Sequence, residues 1–207
     1  MDRAKIILIG GVPGVGKTSI SGYVASRLGI NIVLSGDYLR EFLRAYSFED
    51  NDPLKYSVYD SWKDFGPMNE DNIIRGYLKQ GNLLWKGLHR VISRAIDNGE
   101  SMIIELLYFL PQFIRDFSSK DLLPLYLYLS DEKLHANRLN EREEFTHYNS
   151  PGSRLVSHLF EYRVIMTYTL RNLKDAGIIA YDNLDYHRTR DEILDKVGDF
   201  TGHIPDR

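Results

Sequence analysis

The feature that most constrains this chain is a glycine-rich phosphate-binding loop, GVPGVGKT, at Gly11–Thr18. It follows the continuous apolar run Ile6–Ile9, which predicts a buried parallel strand. After the loop, Ile20, Val24 and Leu28 recur every four residues, as they would on one face of a helix. A strand, a glycine loop and a helix in this order form an anion site, because the loop N–H groups turn inward and the helix dipole adds positive charge.

The loop predicts a site for a nucleoside triphosphate, ATP, together with Mg²⁺. We expect Lys17 to reach the β- and γ-phosphates and the hydroxyl of Thr18 to ligate the metal. The alternative is a chance match or a decayed loop, which the strand before it and the helix after it disfavour. The predicted nucleotide-binding residues are Gly11, Val12, Pro13, Gly14, Val15, Gly16, Lys17, Thr18 and Ser19.

Length and composition exclude several classes of protein. A chain of 207 residues fits one α/β domain, and its net charge of -3 argues against nucleic-acid binding, which needs a basic face. The absence of cysteine excludes disulfides and thiolate chemistry. No apolar run is as long as a membrane span, and no signal-peptide pattern stands at the N-terminus. We therefore expect a cytoplasmic protein that acts on a small molecule, without nucleic-acid or membrane partners.

Five short apolar runs alternate with helical patterns along the chain. This alternation predicts an α/β fold built on a parallel sheet with right-handed crossovers. The predicted strands are Lys5–Ile9, Asn31–Leu34, Ser101–Ile104, Leu123–Leu129 and Ile178–Tyr181.

Two stretches between the strands are longer than a single crossover helix requires. Helical patterns at Tyr38–Tyr46, at Leu54–Phe65 and from about Glu70 to Asn98 separate the second strand from the third. We expect them to form a helical insertion at about residues 38–98 that holds a phosphoryl acceptor. A charged segment at about residues 131–154 follows the fourth strand and is predicted to be a lid, before a second long helix from about Leu155 to Ala176.

Polar residues beyond the carboxyl ends of the strands are candidates for chemistry, because ligands of an open parallel sheet bind there. Asp37 follows the second strand, and Arg40 and Arg44 lie four residues apart on one helix face. A carboxylate that orients a hydroxyl and guanidinium groups that hold an anion would suit a substrate already carrying an anionic group. The alternative is an N-capping aspartate followed by solvated arginines.

A third strand that ends in a carboxylate indicates a metal or acceptor ligand. Glu105 comes directly after Met102–Ile104. A lone carboxylate in this position of a phosphate-loop protein holds Mg²⁺ or its water shell, or contacts the acceptor. The alternative is a strand-end acid paired with a neighbouring arginine.

The predicted lid carries a second pair of arginines, Arg138 and Arg142. Arginines on a closing lid neutralise the charge that develops on a transferring phosphoryl group. The alternative is an exposed, charge-laced helix, since acidic residues surround the pair. Arg154 and His147 are weaker candidates in the same segment, and no histidine has metal-ligand spacing.

Several motifs occur together in an order that is specific to one family. They are residues 10–19 (GGVPGVGKTS), 35–41 (SGDYLRE) and 57–62 (SVYDSW), Gln80, Ile103–Glu105 with Pro111, residues 127–132 (LYLSDE) and Asp182-Asn183. In this combination the chain resembles the archaeal 2-phosphoglycerate kinases over nearly its whole length. The resemblance implies a single domain, residues 1–207, with the three-layer α/β fold of a P-loop kinase and a five-stranded parallel sheet in the order 2-3-1-4-5.

The chain departs from that family at the expected acceptor pocket. The third strand of the family ends Glu-Gly-x-His, whereas this chain reads Glu105-Leu106-Leu107-Tyr108, and Val58 replaces a serine. These changes predict a less polar pocket and an acceptor with more hydrocarbon than phosphoglycerate, because unmatched buried polar groups are costly. The chain therefore resembles most the mevalonate 3-phosphate 5-kinase branch, with 2-phosphoglycerate kinase as the alternative.

The resemblance implies transfer of the ATP γ-phosphoryl group to a hydroxyl of a phosphorylated hydroxy acid. Lys17, Asp37, Arg138 and Arg142 are the predicted catalytic residues, and Thr18 and Glu105 the predicted metal ligands. The predicted acceptor-binding residues are Asp37, Arg40, Arg44, Tyr59, Glu105 and Tyr108. A regulatory ATPase is the alternative from another class, but it would need a basic stripe or an extension that the sequence lacks. The oligomeric state stays open, with a homodimer as one alternative.

Overall fold

The fold is a five-stranded, all-parallel sheet in the order β2-β3-β1-β4-β5, with helices packed around it. We describe it from a computed structural model that covers residues 4–46, 52–145 and 152–202, with the backbone alone for residues 142–145. The strands are β1 (Ile6–Gly10), β2 (Val33–Ser35), β3 (Met102–Leu106), β4 (Leu122–Tyr128) and β5 (Ile179–Asp182). The predicted three-layer fold and the predicted strand order 2-3-1-4-5 are confirmed.

The strands β1 and β3 are almost entirely apolar because both of their faces are covered. Every residue of β1 and β3 is buried, including Glu105. In register, Ile9 of β1 pairs with Glu105 of β3, which also pairs with Ser35 of β2. Since parallel strands end at one edge of the sheet, this register brings the phosphate-binding loop, Glu105 and the residues after β2 to the same edge.

Eight α-helices and one 3₁₀ helix occur in the described residues. The helices are α1 (Lys17–Leu28), α2 (Gly36–Arg44), the 3₁₀ helix (Val58–Asp64), α3 (Glu70–Asn98), α4 (Pro111–Ile114), α5 (Glu132–Phe145), α6 (Gly152–Val156), α7 (Leu159–Ala176) and α8 (Tyr186–Thr201). Helix α1 packs against α8, and α3 packs against α7. None of these helices is long and apolar enough to span a membrane.

The structure differs from the sequence-based boundaries in three places. The predicted helix at 54–65 is a shorter 3₁₀ helix, Val58–Asp64. The second long helix is divided, with α6 ending at Val156 and α7 beginning at Leu159. Helix α8 was not singled out from the sequence, because few of its residues are apolar; its buried positions include Ile193, Leu194 and Val197. Residues 146–151 of the predicted lid lie outside the described part of the chain.

Helix α3 and the 3₁₀ helix form the core of the insertion, and they meet at a glycine. A Cβ added to Gly76 would lie 2.6 Å from the carbonyl carbon of Ser61 and 2.8 Å from its Cβ. Ser61 is itself fixed, since its hydroxyl donates a 2.7 Å hydrogen bond to the carbonyl of Val58. The two helices therefore approach closely only because position 76 carries no side chain.

This contact generates a stability prediction. We expect Gly76→Ala to destabilise the protein by about 1–3 kcal/mol, the usual cost of overpacking, because the clash is with backbone that cannot rotate away. Gly87→Ala is the matched control on the same helix, where an added Cβ meets nothing within 4 Å. The control should be neutral or stabilised by up to about 1 kcal/mol, because alanine is the better helix former. Chemical denaturation measures both, and equal stabilities would contradict the packing argument.

Candidate active site

The phosphate-binding loop has the backbone geometry that its glycines predict. Gly11, Gly14 and Gly16 all have positive φ, at 151°, 82° and 93°. The space beside them is also filled: a Cβ on Gly14 would lie 2.8 Å from Leu139, and a Cβ on Gly16 would lie 2.6 Å from the amide nitrogen of Asn183. Glycine is therefore required here both by conformation and by close packing.

Two buried polar side chains hold the loop from outside. Asn183, after β5, donates a 2.8 Å hydrogen bond from Nδ2 to the carbonyl of Val15. His135, on α5, lies with Nε2 2.8 Å from the carbonyl of Pro13, so Nε2 carries the hydrogen and donates it. Burial lowers the pKa of His135, and nearby positive charges on Arg163 and Lys17 act in the same direction. The imidazole is thus neutral and supports the loop.

A cavity of about 260 Å³ opens in front of the loop. Its lining contains six of the nine predicted nucleotide-binding residues; it comprises Pro13, Gly14, Gly16, Lys17, Thr18, Ser19, Asp37, Leu107, Arg138 and Glu141. The other three build the loop from behind, since Val12 and Val15 are fully buried and Gly11 lies against the carbonyl of Leu127. The Nζ of Lys17 lies 3.0 Å from the carbonyl of Val12, folded along the loop.

The predicted metal ligands lie together beside this cavity. The hydroxyl of Thr18 donates a 2.8 Å hydrogen bond to Oε2 of Glu105, which is buried at the end of β3. Among the described residues, no group of three or more His, Cys, Asp or Glu side chains is placed to hold a metal ion. A hydroxyl and a carboxylate fit Mg²⁺ in a kinase, because this ion takes one or two protein oxygens and completes its shell with phosphate and water. The metal itself stays a prediction.

A second cavity of about 260 Å³ adjoins the first and reaches into the helical insertion. It is lined by Pro13, Asp37, Arg40, Glu41, Ser57, Val58, Tyr59, Leu107, Tyr108, Arg154, Leu155 and Tyr162. Three residues, Pro13, Asp37 and Leu107, line both cavities. This second cavity is hereafter the acceptor cavity and the first is the phosphate cavity.

The carboxylate of Asp37 is not the helix cap that the alternative interpretation required. Helix α2 is capped by Ser35, whose hydroxyl accepts a 3.3 Å hydrogen bond from the backbone N–H of Asp37. Asp37 lies in the first turn after the cap, and its side chain is exposed at the boundary of the two cavities. The carboxylate is therefore available for another role.

The two arginines of α2 do different things. Arg40 is buried in the wall of the acceptor cavity, where its Nη1 pairs with Oε1 of Glu41 and its Nη2 donates to the carbonyls of Leu54 and Tyr56. Arg44 is exposed and pairs through Nη1 with Oε2 of Glu41 at 2.9 Å. Within the described residues, Arg44 lines neither of the two cavities. A contact between Arg44 and an acceptor therefore stays a prediction, and the position of Arg44 does not favour it.

The lid arginines are placed only in part. Arg138 lines the phosphate cavity, and its Nη2 lies 3.4 Å from the carbonyl of Leu184. Burial lowers the pKa of Arg138 from its ordinary value, although the guanidinium remains charged at neutral pH. The side chain of Arg142 and the whole of His147 lie outside the described part of the chain, so a catalytic role for Arg142 stays a prediction.

The departures from the 2-phosphoglycerate kinase pattern fall partly on the acceptor cavity. Tyr108 and Val58 line it, but the expectation that Leu106 does so is wrong. Leu106 is fully buried, and its side chain lies against Gly36 at the start of α2. Leu107, the first residue after β3, lines both cavities instead.

Other wall residues were interpreted differently or missed. Tyr59 lines the acceptor cavity as predicted from the resemblance, and its ring stacks on His158 with centroids 4.0 Å apart. Leu155 and Tyr162, both within the predicted second long helix, are buried and also line the cavity. Arg154, a weaker candidate, lines it from α6. The spacing of residues in the sequence could not indicate these wall positions, because α6 and α7 reach the cavity only through the tertiary fold.

Comparison with known proteins gives close relatives at the level of sequence. The mevalonate-3-phosphate 5-kinase of Thermoplasma acidophilum is 50% identical over 198 residues, which cover 96% of this chain and 98% of that protein. The 2-phosphoglycerate kinases of Methanothermobacter thermautotrophicus and Methanocaldococcus jannaschii are 32% and 30% identical over 91% and 94% of this chain. The chain spans only 64% and 63% of those two enzymes. No protein-family model matches.

Solved structures similar to this one support the fold. A shikimate kinase from Acinetobacter baumannii in complex with shikimate has a TM-score of 0.55 at 14% identity, covering 95% of this chain and 92% of its own. A putative kinase from Chloroflexus aurantiacus has a TM-score of 0.51 at 15% identity and covers 96% of both chains. At such identities the likeness concerns the fold alone, whereas the Thermoplasma relative matches almost end to end. The chain therefore belongs to the mevalonate-3-phosphate 5-kinase family.

Proposed function

We propose that this protein transfers the γ-phosphoryl group of ATP to a hydroxyl of a small phosphorylated hydroxy acid, and that the acceptor is mevalonate 3-phosphate, phosphorylated on its 5-hydroxyl. The identity of 50% to a protein of that name supports the choice of acceptor. The observation that carries the reaction type is the position of Asp37, which borders the phosphate cavity and the acceptor cavity at once.

The phosphate cavity provides the groups that phosphoryl transfer needs on the nucleotide side. The loop amides and Lys17 stabilise the β- and γ-phosphates, and Arg138 adds a positive charge from α5. Mg²⁺, held by Thr18 and Glu105 together with the phosphates, would supply the charge neutralisation that these enzymes share. The hydrogen bond between Thr18 and Glu105 holds both oxygens ready on one side of the loop.

The acceptor cavity has the chemistry of an anionic substrate with a hydrocarbon part. Arg40 and Arg154 provide positive charge, while Val58, Leu107 and Leu155 provide apolar wall. Mevalonate 3-phosphate carries a phosphate, a carboxylate and a methyl-bearing carbon chain. Guanidinium groups pair with phosphate or carboxylate through parallel hydrogen bonds, so Arg40, which also pairs with Glu41, and Arg154 are the candidate contacts for the two anionic groups.

Asp37 is positioned to orient the attacking hydroxyl and to take its proton. The hydroxyl oxygen forms a bond to the γ-phosphorus while the bond from the γ-phosphorus to the β,γ-bridging oxygen breaks. The hydroxyl proton passes to the carboxylate, and ADP leaves with the electron pair of the broken bond. Pro13 and Leu107 lie with Asp37 at the junction of the two cavities.

2-Phosphoglycerate is the second candidate acceptor, because enzymes acting on it are 30–32% identical to this chain. It also carries a phosphate and a carboxylate, but it lacks the methyl group and the longer chain. Tyr108 and Val58 replace the histidine and serine of that family on the cavity wall, which favours the more apolar acceptor. A regulatory ATPase is disfavoured, since it has no use for an acceptor cavity joined to the phosphate cavity.

The proposed acceptor is tested by a panel of substrates. We expect acceptor-dependent release of ADP with mevalonate 3-phosphate, and slower turnover with 2-phosphoglycerate and with unphosphorylated mevalonate. Mevalonate should be poor because it lacks the phosphate that the arginines of the cavity wall would bind. Phosphorus NMR of the product identifies the hydroxyl that is phosphorylated. Faster turnover of 2-phosphoglycerate would replace the first acceptor with the second.

The role of Asp37 is tested by Asp37→Asn, which keeps the shape of the side chain and removes its charge. We expect turnover to fall by roughly a hundredfold or more, as for loss of a general base, with the ATP KM little changed. Ser35→Ala is the matched control, since it removes the cap of α2 without altering the carboxylate. The control should lose stability but retain most of its turnover. Comparable turnover in the two variants would exclude Asp37 as the base.

The different roles of the α2 arginines are tested by making the same change in each. Arg40→Lys should raise the acceptor KM by about tenfold or more, since lysine keeps the charge but loses the planar fork that binds an anion. Arg44→Lys should leave the acceptor KM within about twofold of the unmodified value, because Arg44 is exposed and lines neither of the two cavities. Steady-state kinetics at saturating ATP separates the two, and the reverse order would assign the acceptor to Arg44.

A further inference from the structure

A buried glutamine in the middle of α3 connects two walls of the acceptor cavity. The Nε2 of Gln80 donates hydrogen bonds to the carbonyls of Pro53 and Tyr56, at 2.9 and 2.8 Å. Its Oε1 accepts a 2.5 Å hydrogen bond from the hydroxyl of Tyr108. Gln80 has no exposed surface, and it does not itself line the cavity. Its side chain therefore acts through the residues that it holds.

One of those contacts fixes Arg40 in the wall of the acceptor cavity. The carbonyl of Tyr56, which accepts from Gln80, also accepts from Nη2 of Arg40. The same Nη2 donates to the carbonyl of Leu54 at 3.2 Å. Gln80 thus holds the segment at residues 53–56 whose carbonyls determine where the guanidinium lies.

The guanidinium of Arg40 has one further hydrogen-bond donor. The Nε of Arg40 is buried and has no hydrogen-bond partner among the described residues, although the side chain lines the acceptor cavity. A buried N–H without a partner is costly, and an anionic acceptor group would satisfy it. The position of Arg40 is therefore prepared for a ligand rather than completed by the protein.

The other contact sets the orientation of Tyr108. The ring of Tyr108 stacks on Tyr77 with centroids 5.6 Å apart, and its carbonyl accepts a 2.7 Å hydrogen bond from Nε1 of Trp85. Burial raises the pKa of Tyr108 well above its ordinary value, so the hydroxyl keeps its proton and donates it to Gln80. Since carbonyls only accept, the amide of Gln80 has one possible orientation, with its oxygen toward Tyr108 and its nitrogen toward the segment at 53–56.

We propose that Gln80 is a positioning residue for acceptor recognition, which aims Arg40 into the acceptor cavity and fixes Tyr108 in the wall of the same cavity. The inference rests on the proposed function, because it concerns the same acceptor site. The inference distinguishes the two substrates of the reaction. The hydrogen-bond network of Gln80 contacts the acceptor cavity and no residue of the phosphate-binding loop. Loss of Gln80 should therefore weaken binding of the acceptor and leave binding of ATP unchanged.

The test is Gln80→Met, which keeps the length of the side chain and removes both its donors and its acceptor. We expect the acceptor KM for mevalonate 3-phosphate to rise by about tenfold or more, as for a displaced charged contact, with the ATP KM within about twofold. Gln80→Glu should have a larger effect, because it places a carboxylate oxygen against the carbonyls of Pro53 and Tyr56. Adding Tyr108→Phe to Gln80→Met should cost little more, since both changes break one network.

A merely structural role would give a different pattern. Ile92→Ala, on the same helix and fully buried in the core, is the control for lost stability. It should lower the melting temperature at least as much as Gln80→Met while leaving the acceptor KM near the unmodified value. An unaltered acceptor KM in Gln80→Met, or equal rises in the KM values of ATP and acceptor, would overturn the inference alone. Absence of acceptor-dependent ADP release by the unmodified protein would overturn the proposed function and this inference together.

Discussion

The phosphate-binding loop depends on hydrogen bonds to its outward-facing carbonyls. When loop N–H groups turn inward to surround an anion, the carbonyls of the same peptides turn outward, and buried carbonyls need donors. Here Asn183 and His135 supply them to Val15 and Pro13 across 168 and 122 residues of sequence. The nucleotide site is thus completed by parts of the chain that come after β4, and it cannot form until the sheet has brought them together.

The same edge of the sheet explains why Asp37 lies where the two cavities meet. Ser35 ends β2 in register with Glu105 and caps α2, which places Asp37 in the first helical turn beside the loop. Arg40 follows one turn later and faces the insertion, where carbonyls of residues 54 and 56 hold it. One short helix therefore carries both the proposed hydroxyl-orienting group and the proposed anion-binding group, at a separation fixed by helix geometry.

Local patterns in the sequence predicted the parts of this protein that are themselves local. The loop, the five strands and the Asp37–Arg40 spacing each depend on a few consecutive residues, and the strand order followed from the family resemblance. The walls of the acceptor cavity depend on tertiary packing. Leu106 and Leu107 are adjacent and both apolar, so only the strand end decides which of them faces the cavities. Nothing in the sequence distinguishes Arg40 from Arg44 as a wall residue. The two arginines differ because the segment at 53–56 holds Arg40.

The selectivity that the cavity can reach between the two candidate acceptors is physically limited, and this limit constrains the structure of its wall. Both carry a phosphate and a carboxylate, so Arg40 and Arg154 attract them alike, and discrimination falls to the apolar wall. One methylene in an apolar pocket is worth only about 10–200-fold in specificity. A single substitution is therefore insufficient for a strong preference, and Val58, Leu107 and Tyr108 must act as a set. Such a set discriminates only if the wall keeps its shape, because a wall that relaxes around the smaller substrate loses its selectivity. The stacked ring of Tyr77 and the amide of Gln80 give Tyr108 that rigidity from behind the cavity.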